Sequence, residues 1–551
     1  MLKKLRYKYL NFWSIATLIL LLFFALALIY PLINMLLNSF KGAEGGFTLE
    51  NYVKFFTKKY YYSALKNSLT IGVLSTLIAT AVGVALAYVV HRYNVIFKGA
   101  LKMAFIICLM SPPFIGAYSW ILLCGRGGVI TNLFSHIGII LPAIYGKTGI
   151  LLVFSLSLSC YVFRYVLAAL QGIDRSLEEA AESLGASKLR RVFTVSLPVV
   201  LPAITSVMII VFMRSLADFG TPLLIGEGYK TMPVLVYNAY LSEMGGDASM
   251  AGAISVITVA ISLGILLIQK AYIARRNYKM SGLRPPIEVK LTGAKRVLVS
   301  LPCWIWVIIA LLPQITIIVT SFIKTKGPIF VGGFTLENYA EAFRAAGESI
   351  GHSFLYATTA LLLIILFGII TAYVSVRRRK QGGNLLDTLV MFPYVIPGAV
   401  VGICYIVAFN RRPFLLHGTA LIIIMAYVIR KLPNTVRSSV GVLESIDPSL
   451  EEASISLGVP PMKTFFTITF RLMIAGVAAG AVLSWIACMN ELSSTLLLYT
   501  SKTTTMPIAI YNYVSRASYG IAAALGTIMT VSILLALGLV SKLTKKTGGI
   551  I

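Results

Sequence analysis

Apolar runs of about 18 residues or more recur along the chain, the length a helix needs to cross a hydrocarbon core of roughly 30 Å. About twelve such windows occur. In the first half they lie near residues 12–37, 64–90, 100–124, 148–170, 199–225 and 249–272. In the second they lie near 297–322, 353–376, 386–409, 418–432, 472–498 and 519–541. Within lipid every backbone N–H and C=O must be satisfied inside the protein, which leaves helices as the natural form for runs of this length. Composition agrees, with 58% hydrophobic and 12% charged residues over 551 positions and a mean hydropathy of +0.86, values that exclude an ordinary soluble domain. The sequence therefore predicts an all-α polytopic membrane protein. Its first run follows "KKLRYKYL", is too long for the core of a signal peptide and lacks a small-residue cleavage site, so it reads as a retained span.

A net charge of +28 raises the question of nucleic acid. The basic residues instead gather in alternate loops: "KKLRYK", Arg92 to Lys102, Arg164 to Arg191, Lys270 to Arg296, "RRRK" at 377–380, Arg430 to Arg471, and "KLTKK" near the end. Roughly two thirds of all Lys and Arg fall there, as expected of segments retained on the cytoplasmic side. Charge thus reads as topology, with membrane lipid and no nucleic acid as partner, and with both termini expected in the cytoplasm. Cys108, Cys124, Cys160, Cys303, Cys404 and Cys488 stand singly in or beside apolar runs and read as small buried hydrophobes. The histidines at 91, 136, 352 and 417 are equally scattered. Neither a metal-ligand set nor a catalytic constellation can be assembled from these residues.

The chain is written twice. "FTLENY" at Phe47 to Tyr52 recurs at Phe334 to Tyr339, each time after a first span ending in Ser-Phe, Ser39-Phe40 and Ser321-Phe322. Ser68 then aligns with Ser353, Ala87-Tyr88 with Ala372-Tyr373, and Arg92 with Arg377. At a constant offset of 273, Arg164, Leu170, Ile173, Asp174, Ser176 to Ala180 and Ser183 to Gly185 match Arg437, Leu443, Ile446, Asp447, Ser449 to Ala453 and Ser456 to Gly458. Equal numbers of spans in equal orientation make these parallel repeats, related by an axis along the membrane normal. The expected organisation is a first module over residues 1–273, a cytoplasmic linker over 274–295 and a second module over 296–551. Pro112, Pro113, Pro393 and Pro397 are expected to kink the third spans.

Between the fourth and fifth spans of each module lies a charged island, "SLEEAAESLG" from Ser176 and "SLEEASISLG" from Ser449. Ser176 with Glu179 and Ser449 with Glu452 have the spacing of capping boxes, which start a helix. Gly185 and Gly458 suit the left-handed residue that ends one. Leu177, Ala180, Ala181 and Leu184 fall on one apolar stripe, with Glu178, Glu179 and Glu182 polar. One reading is a helix lying at the headgroups. Duplication at symmetric positions favours docking onto a paired soluble partner.

Glu179-Ala180-Ala181, then Gly185, then Val195-Ser196-Leu197-Pro198, resembles the EAA loop of the permease subunits of binding-protein-dependent ABC importers. The loops cover about residues 172–198 and 445–471, and the resemblance spans essentially the whole chain. In that family the loop forms a coupling helix seated in a cleft of the ATP-binding subunit. The resemblance implies two type I (MetI-like) six-helix modules fused in one chain, in a prokaryotic cell membrane. It assigns ATPase coupling to Glu179, Ala180, Ala181 and Gly185, and to Glu452, Ala453, Ser454 and Gly458. It also implies two copies of an ABC ATPase subunit and an extracytoplasmic substrate-binding protein as partners. The second copy departs from the pattern at Ser454 and at Phe470-Arg471, where Leu-Pro is expected, which puts the geometry after that loop in question. Two such loops on one chain, with "SLADFGTPLLIGEGYKTMPVLVYNAY" from Ser215, resemble the fused permeases of the ferric-iron importers. Sugar phosphate, phosphonate, thiamine or polyamine are alternative cargoes of the same class.

No G-x-x-x-x-G-K-[ST] is present, and "GVPPMKT" from Gly458 lacks the second glycine and places its Lys-Thr one residue early. The chain is therefore expected to bind no cofactor and catalyse no reaction, ATP and magnesium being used by partner subunits. Ionisable residues within spans usually face a cavity or a partner. Asp218 and Glu491, again 273 apart, sit at the outer ends of the fifth spans. They read either as a carboxylate pair facing each other along the translocation path, a stepping point for a cationic cargo, or as packing and gate residues, with Arg214 one turn from Asp218. An ion-coupled secondary carrier also has twelve spans in two halves, but it has no need of two Gly-terminated cytoplasmic helices.

Overall fold

The computed structural model describes residues 12–546 apart from 43–44, 143, 242–245, 275–287, 328 and 380–381. Most of the expected linker and the basic start of the chain lie outside the described residues. Apart from two short antiparallel hairpins, Ile323–Lys326 with Ile329–Phe334 and Asn410–Arg411 with Phe414–Leu415, the ordered elements are helices. Among the described residues ten helices are long and apolar enough to cross a membrane, or eleven when the bent pair Gly383–Val395 and Gly398–Phe409 counts as one span. The window at 418–432 belongs to Ala420–Ser445, which is of spanning length but carries Arg430, Lys431 and Arg437.

Three of the four prolines of the third spans stand at helix starts rather than kinks, while Pro393 lies inside Gly383–Val395. Met110 ends one helix, Pro112 caps the next and Pro113 is its first residue. In the second half Pro397 caps Gly398–Phe409, and the two pieces meet at 108°. A proline without an N–H cannot continue the preceding ladder, but its fixed φ suits a helix start.

Two compact units form, and their boundaries do not follow the sequence modules. The first comprises residues 1–53, 236–256 and 321–551, and the second comprises 54–235 and 257–320. Each repeat has thus given its first span to the other repeat's unit. In the first unit, Trp13 of Phe12–Phe24 stacks on Tyr373 at 4.2 Å, and Tyr405 donates to the Ala27 carbonyl at 2.7 Å. The "FTLENY" motif explains itself here. Asn51 Nδ2 donates to the carbonyls of Ser39 and Lys41, and Tyr52 bonds Ser39 Oγ at 2.6 Å. Asn338 does the same to Ser321 and Ile323, and Tyr339 bonds Ser321 Oγ at 2.8 Å. Both copies clamp the carbonyls left open where a first span ends.

In the second unit, Gly293–Ser321 packs against first-repeat helices. Trp306 Nε1 donates to Ser159 Oγ at 2.8 Å, and Ser119 Oγ to the Pro313 carbonyl at 2.8 Å. Helix Lys59–Arg92 crosses Lys147–Gln171 at Gly83, where a Cβ would stand 2.6 Å from Val162 Cβ. In the first unit Gly368 occupies the equivalent place, with Thr435 as its neighbour. Small residues at such crossings let membrane helices approach closely, since dispersion contacts must replace the hydrophobic drive.

Candidate coupling site and charges within the spans

The island in the first repeat folds as helix Arg175–Ser183, and its second copy as Ser449–Ser456. The serine capping boxes are not how these helices begin. Asp174 Oδ1 accepts the Ser176 N–H at 2.9 Å, and Asp447 Oδ1 the Ser449 N–H at 2.8 Å. An aspartate two residues ahead reaches that N–H with a short, stiff side chain. The bond holds the Asp447 carboxyl below the usual carboxylate range.

Both helices end as the glycines require. Gly185 and Gly458 have φ of 78° and 84°. Ala186 N–H reaches the Ala181 carbonyl and Gly185 N–H that of Glu182; Val459 to Ser454 and Gly458 to Ile455 repeat the pattern. This is the paired 6→1 and 5→2 bonding of a Schellman turn.

The inward face of each helix carries a glutamate, Glu178 or Glu451, although the stripe pattern sets Glu178 among the polar residues with Glu179 and Glu182. Glu178 Oε2 accepts from Arg92 Nη1 at 2.6 Å and its Oε1 from Ser196 Oγ at 2.9 Å. Glu451 accepts from Tyr373 OH at 3.0 Å and from Arg377 Nε at 3.2 Å, and Arg377 Nη2 donates to the Ile446 carbonyl. Each short helix is therefore tied by a half-buried charged bond to the end of its repeat's second span. The only sequence sign was that Arg92 and Arg377 align.

The second fixing point differs between copies. Arg191, 7% exposed, pairs with Glu182 at 2.6 Å in the first. In the second those positions hold Thr464 and Ile455, and Ser454 Oγ bonds Thr464 Oγ1 at 2.9 Å instead. The change from Ala181 to Ser454 thus belongs with the change from Arg191 to Thr464. The altered Phe470-Arg471 leaves the geometry intact. After each glycine, four α-helical residues (Lys188–Arg191, Pro461–Thr464) precede a π-helical turn (Val192–Ser196, Phe465–Thr469) at the same offset.

The apolar stripe is left open. Leu184 and Leu457 are 88% and 85% exposed, Leu177, Leu450, Ala180, Ala453 and Glu452 are also exposed, and Glu179 and Ala181 are half-buried.

The two acids at the ends of the fifth spans have different surroundings. Asp218 caps the next short helix, its Oδ1 accepting the Thr221 N–H at 2.9 Å. Arg214 lies over the Tyr161 ring at 4.3 Å. Glu491 is buried, forms ion pairs with both Arg430 and Lys431, and accepts from the N–H and Oγ of Ser494. Its charge is taken up inside its own unit, which alters the chemistry expected of a bare carboxylate. Among the described residues no three His, Cys, Asp or Glu side chains gather as a metal site.

Repeated sets of membrane helices, each carrying one anchored, Gly-terminated helix with an open apolar face, describe a two-module membrane transport component. The chain belongs to the family of binding-protein-dependent transport system inner membrane components, whose model matches residues 79–277 and 364–548. It is an ABC importer permease and a multi-pass inner membrane protein. The ferric transport system permease FbpB of Actinobacillus pleuropneumoniae is 30% identical over 530 residues, 94% of this chain and 76% of that one. A putative ferric transport permease of Haemophilus influenzae is 30% identical over 89% of this chain and 78% of its own. The molybdate/tungstate permease WtpB of Pyrococcus furiosus is 36% identical over 184 residues, 33% of this chain and 73% of that one. A solved bacterial ABC transporter for alginate import matches 50% of this chain at 20% identity and a TM-score of 0.43.

Proposed function

We propose that this chain is the membrane subunit of an ATP-driven importer of ferric iron. In this reading an extracytoplasmic binding protein delivers the iron, and two copies of a separate ATPase subunit, using ATP and magnesium, supply the energy. The helices Arg175–Ser183 and Ser449–Ser456 are the two ATPase contacts, and both chain termini lie on the ATPase side. Glu179, Ala180, Ala181 and Gly185, with Glu452, Ala453, Ser454 and Gly458, make up those contacts, Ser454 from beneath through its bond to Thr464 Oγ1. The observation that carries the cargo is similarity to ferric permeases across nearly the whole chain. The coupling role is supported by two exposed leucines on helices that are otherwise fixed from behind by Glu178 and Glu451. A surface that rigid and that apolar suits a partner.

The relative from Pyrococcus furiosus supports an oxyanion as second reading of the cargo. One experiment separates the two. The chain is reconstituted in liposomes with its ATPase and binding protein, and ATP hydrolysis and uptake are measured with ferric-loaded and with molybdate-loaded binding protein. Stimulation by iron alone is expected. Stimulation by molybdate alone selects the second reading, and uptake driven by an ion gradient without any ATPase overturns both.

A further inference from the structure

Arg430 and Lys431 lie midway along Ala420–Ser445, each with about an eighth of its side chain accessible, 13% and 14%. Both pair with one carboxylate, Glu491, so among the described residues the cluster holds two positive charges against one negative. Nε of Arg430 is buried and has no hydrogen-bond partner. An uncompensated charge in a buried site is strongly unfavourable, so such a site is normally completed by a counter-charge or lines a wet cavity.

A second feature of the same sign stands against it. The bent pair restarts at Gly398, and the first helical bond of Gly398–Phe409 runs from Val401 N–H to the Pro397 carbonyl. The N–H groups of Gly398, Ala399 and Val400 precede that ladder, at the positive end of a helix dipole. Arg430 touches this start. A Cβ on Gly398 would stand 2.7 Å from Arg430 Nη1 and 2.5 Å from Ser493 Cβ. Broken helices within a membrane are tolerated where their ends meet a ligand or line a cavity. The first repeat carries no equivalent, because Ser157 and Leu158 occupy the positions 273 before Arg430 and Lys431.

We propose that Arg430, Lys431 and the start of Gly398–Phe409 form an oxyanion-binding subsite, with Glu491 offsetting one of the two cations and leaving the site's net charge at one positive. Its ligand is either a free oxyanion or the anionic oxygen ligand borne by a ferric ion, both offering oxygens to a guanidinium and an ammonium. The assignment of this site to the transport route rests on the importer reading; the binding itself does not.

The test uses the full chain in nanodiscs, titrated separately with molybdate and with ferric citrate, without ATPase or binding protein. Saturable binding of at least one probe is expected. Lys431→Gln weakens it about tenfold or more, the scale of one lost charge-assisted bond, and Glu491→Gln strengthens it several-fold. Arg126→Gln, an exposed arginine elsewhere, leaves it unchanged. Binding of molybdate identifies a free oxyanion, and binding of ferric citrate alone identifies the metal-borne ligand. Binding of neither, or weaker binding in Glu491→Gln, overturns the proposal. Where Glu491→Gln does not fold by its thermal melt, Lys431→Arg decides: retained binding supports the site, and loss equal to that in Lys431→Gln overturns it. Normal binding with absent uptake in the assembled complex would instead place the fault in the importer reading.

Discussion

Glu178 and Glu451 stand one residue ahead of the glutamates that open the repeated triads, and they do different work. Glu452 is exposed and Glu179 half-buried, whereas Glu178 and Glu451 accept charged bonds from Arg92 and Arg377. Removing one carboxylate strands a half-buried guanidinium, at a cost of about 1–3 kcal/mol. Glu451→Gln is therefore expected to lower the melting temperature of the purified chain by several degrees, and Glu452→Gln to leave it within about 1 °C. In the assembled complex the order reverses for ATPase affinity, measured by co-purification, with Glu452→Gln weakening it more. Equal melting losses in both variants would remove the anchor role. The pairing was invisible in sequence because it joins residues 86 and 74 positions apart. What sequence did show was the alignment of Arg92 with Arg377, a sign without a partner.

At the scale of elements, the turns were readable and the starts were not. A glycine after an apolar stripe admits few conformations, and both Gly185 and Gly458 take the left-handed one. The helix starts offered two solutions, serine or the aspartate before it, and local propensity does not separate them. The third spans went further from expectation, since whether a proline bends or ends a helix depends on the packing around it. The π-turns after each glycine carried no sequence signal, yet they explain why Phe470-Arg471 can replace Leu-Pro. In the first copy the Leu197 N–H bonds the Val192 carbonyl, and Pro198 then has no N–H to place. In the second, Phe470 N–H bonds the Phe465 carbonyl in the same way. Arg471 thus occupies a position whose N–H the first copy does without. Arg471→Pro is expected to fold and to retain transport, with a stability change of about 1 kcal/mol or less. Loss of the folded chain on size exclusion would show that the two turns are not equivalent.

The duplication was legible in the whole molecule as modules over 1–273 and 296–551, and the compact units follow a different division. Sequence repeats record how a chain was duplicated; units record which apolar faces bury one another, and those contacts join distant segments. Trp13 packs with Tyr373 and Phe465, so the first span of one repeat supports the residues that hold Glu451 in the other. Gly293–Ser321 serves the first repeat in the same manner through Trp304, whose Nε1 donates to the Ile96 carbonyl, and Trp306. A chain cut within the linker tests this directly. Residues 296–551 expressed alone lose Phe12–Ser39 from their unit, exposing the large faces of Tyr373, Tyr405 and Phe465. These faces lose the close packing that holds membrane helices together, so the isolated half is expected to aggregate or be degraded. Co-expression with residues 1–273 restores it, and a tag on either half recovers both in equal amounts. Residues 1–53 alone should restore it in part, because the unit also includes residues 236–256 of the first module. If the isolated second half is as stable as the co-expressed pair, the exchanged span contributes nothing to the unit, and the modules are independent domains after all.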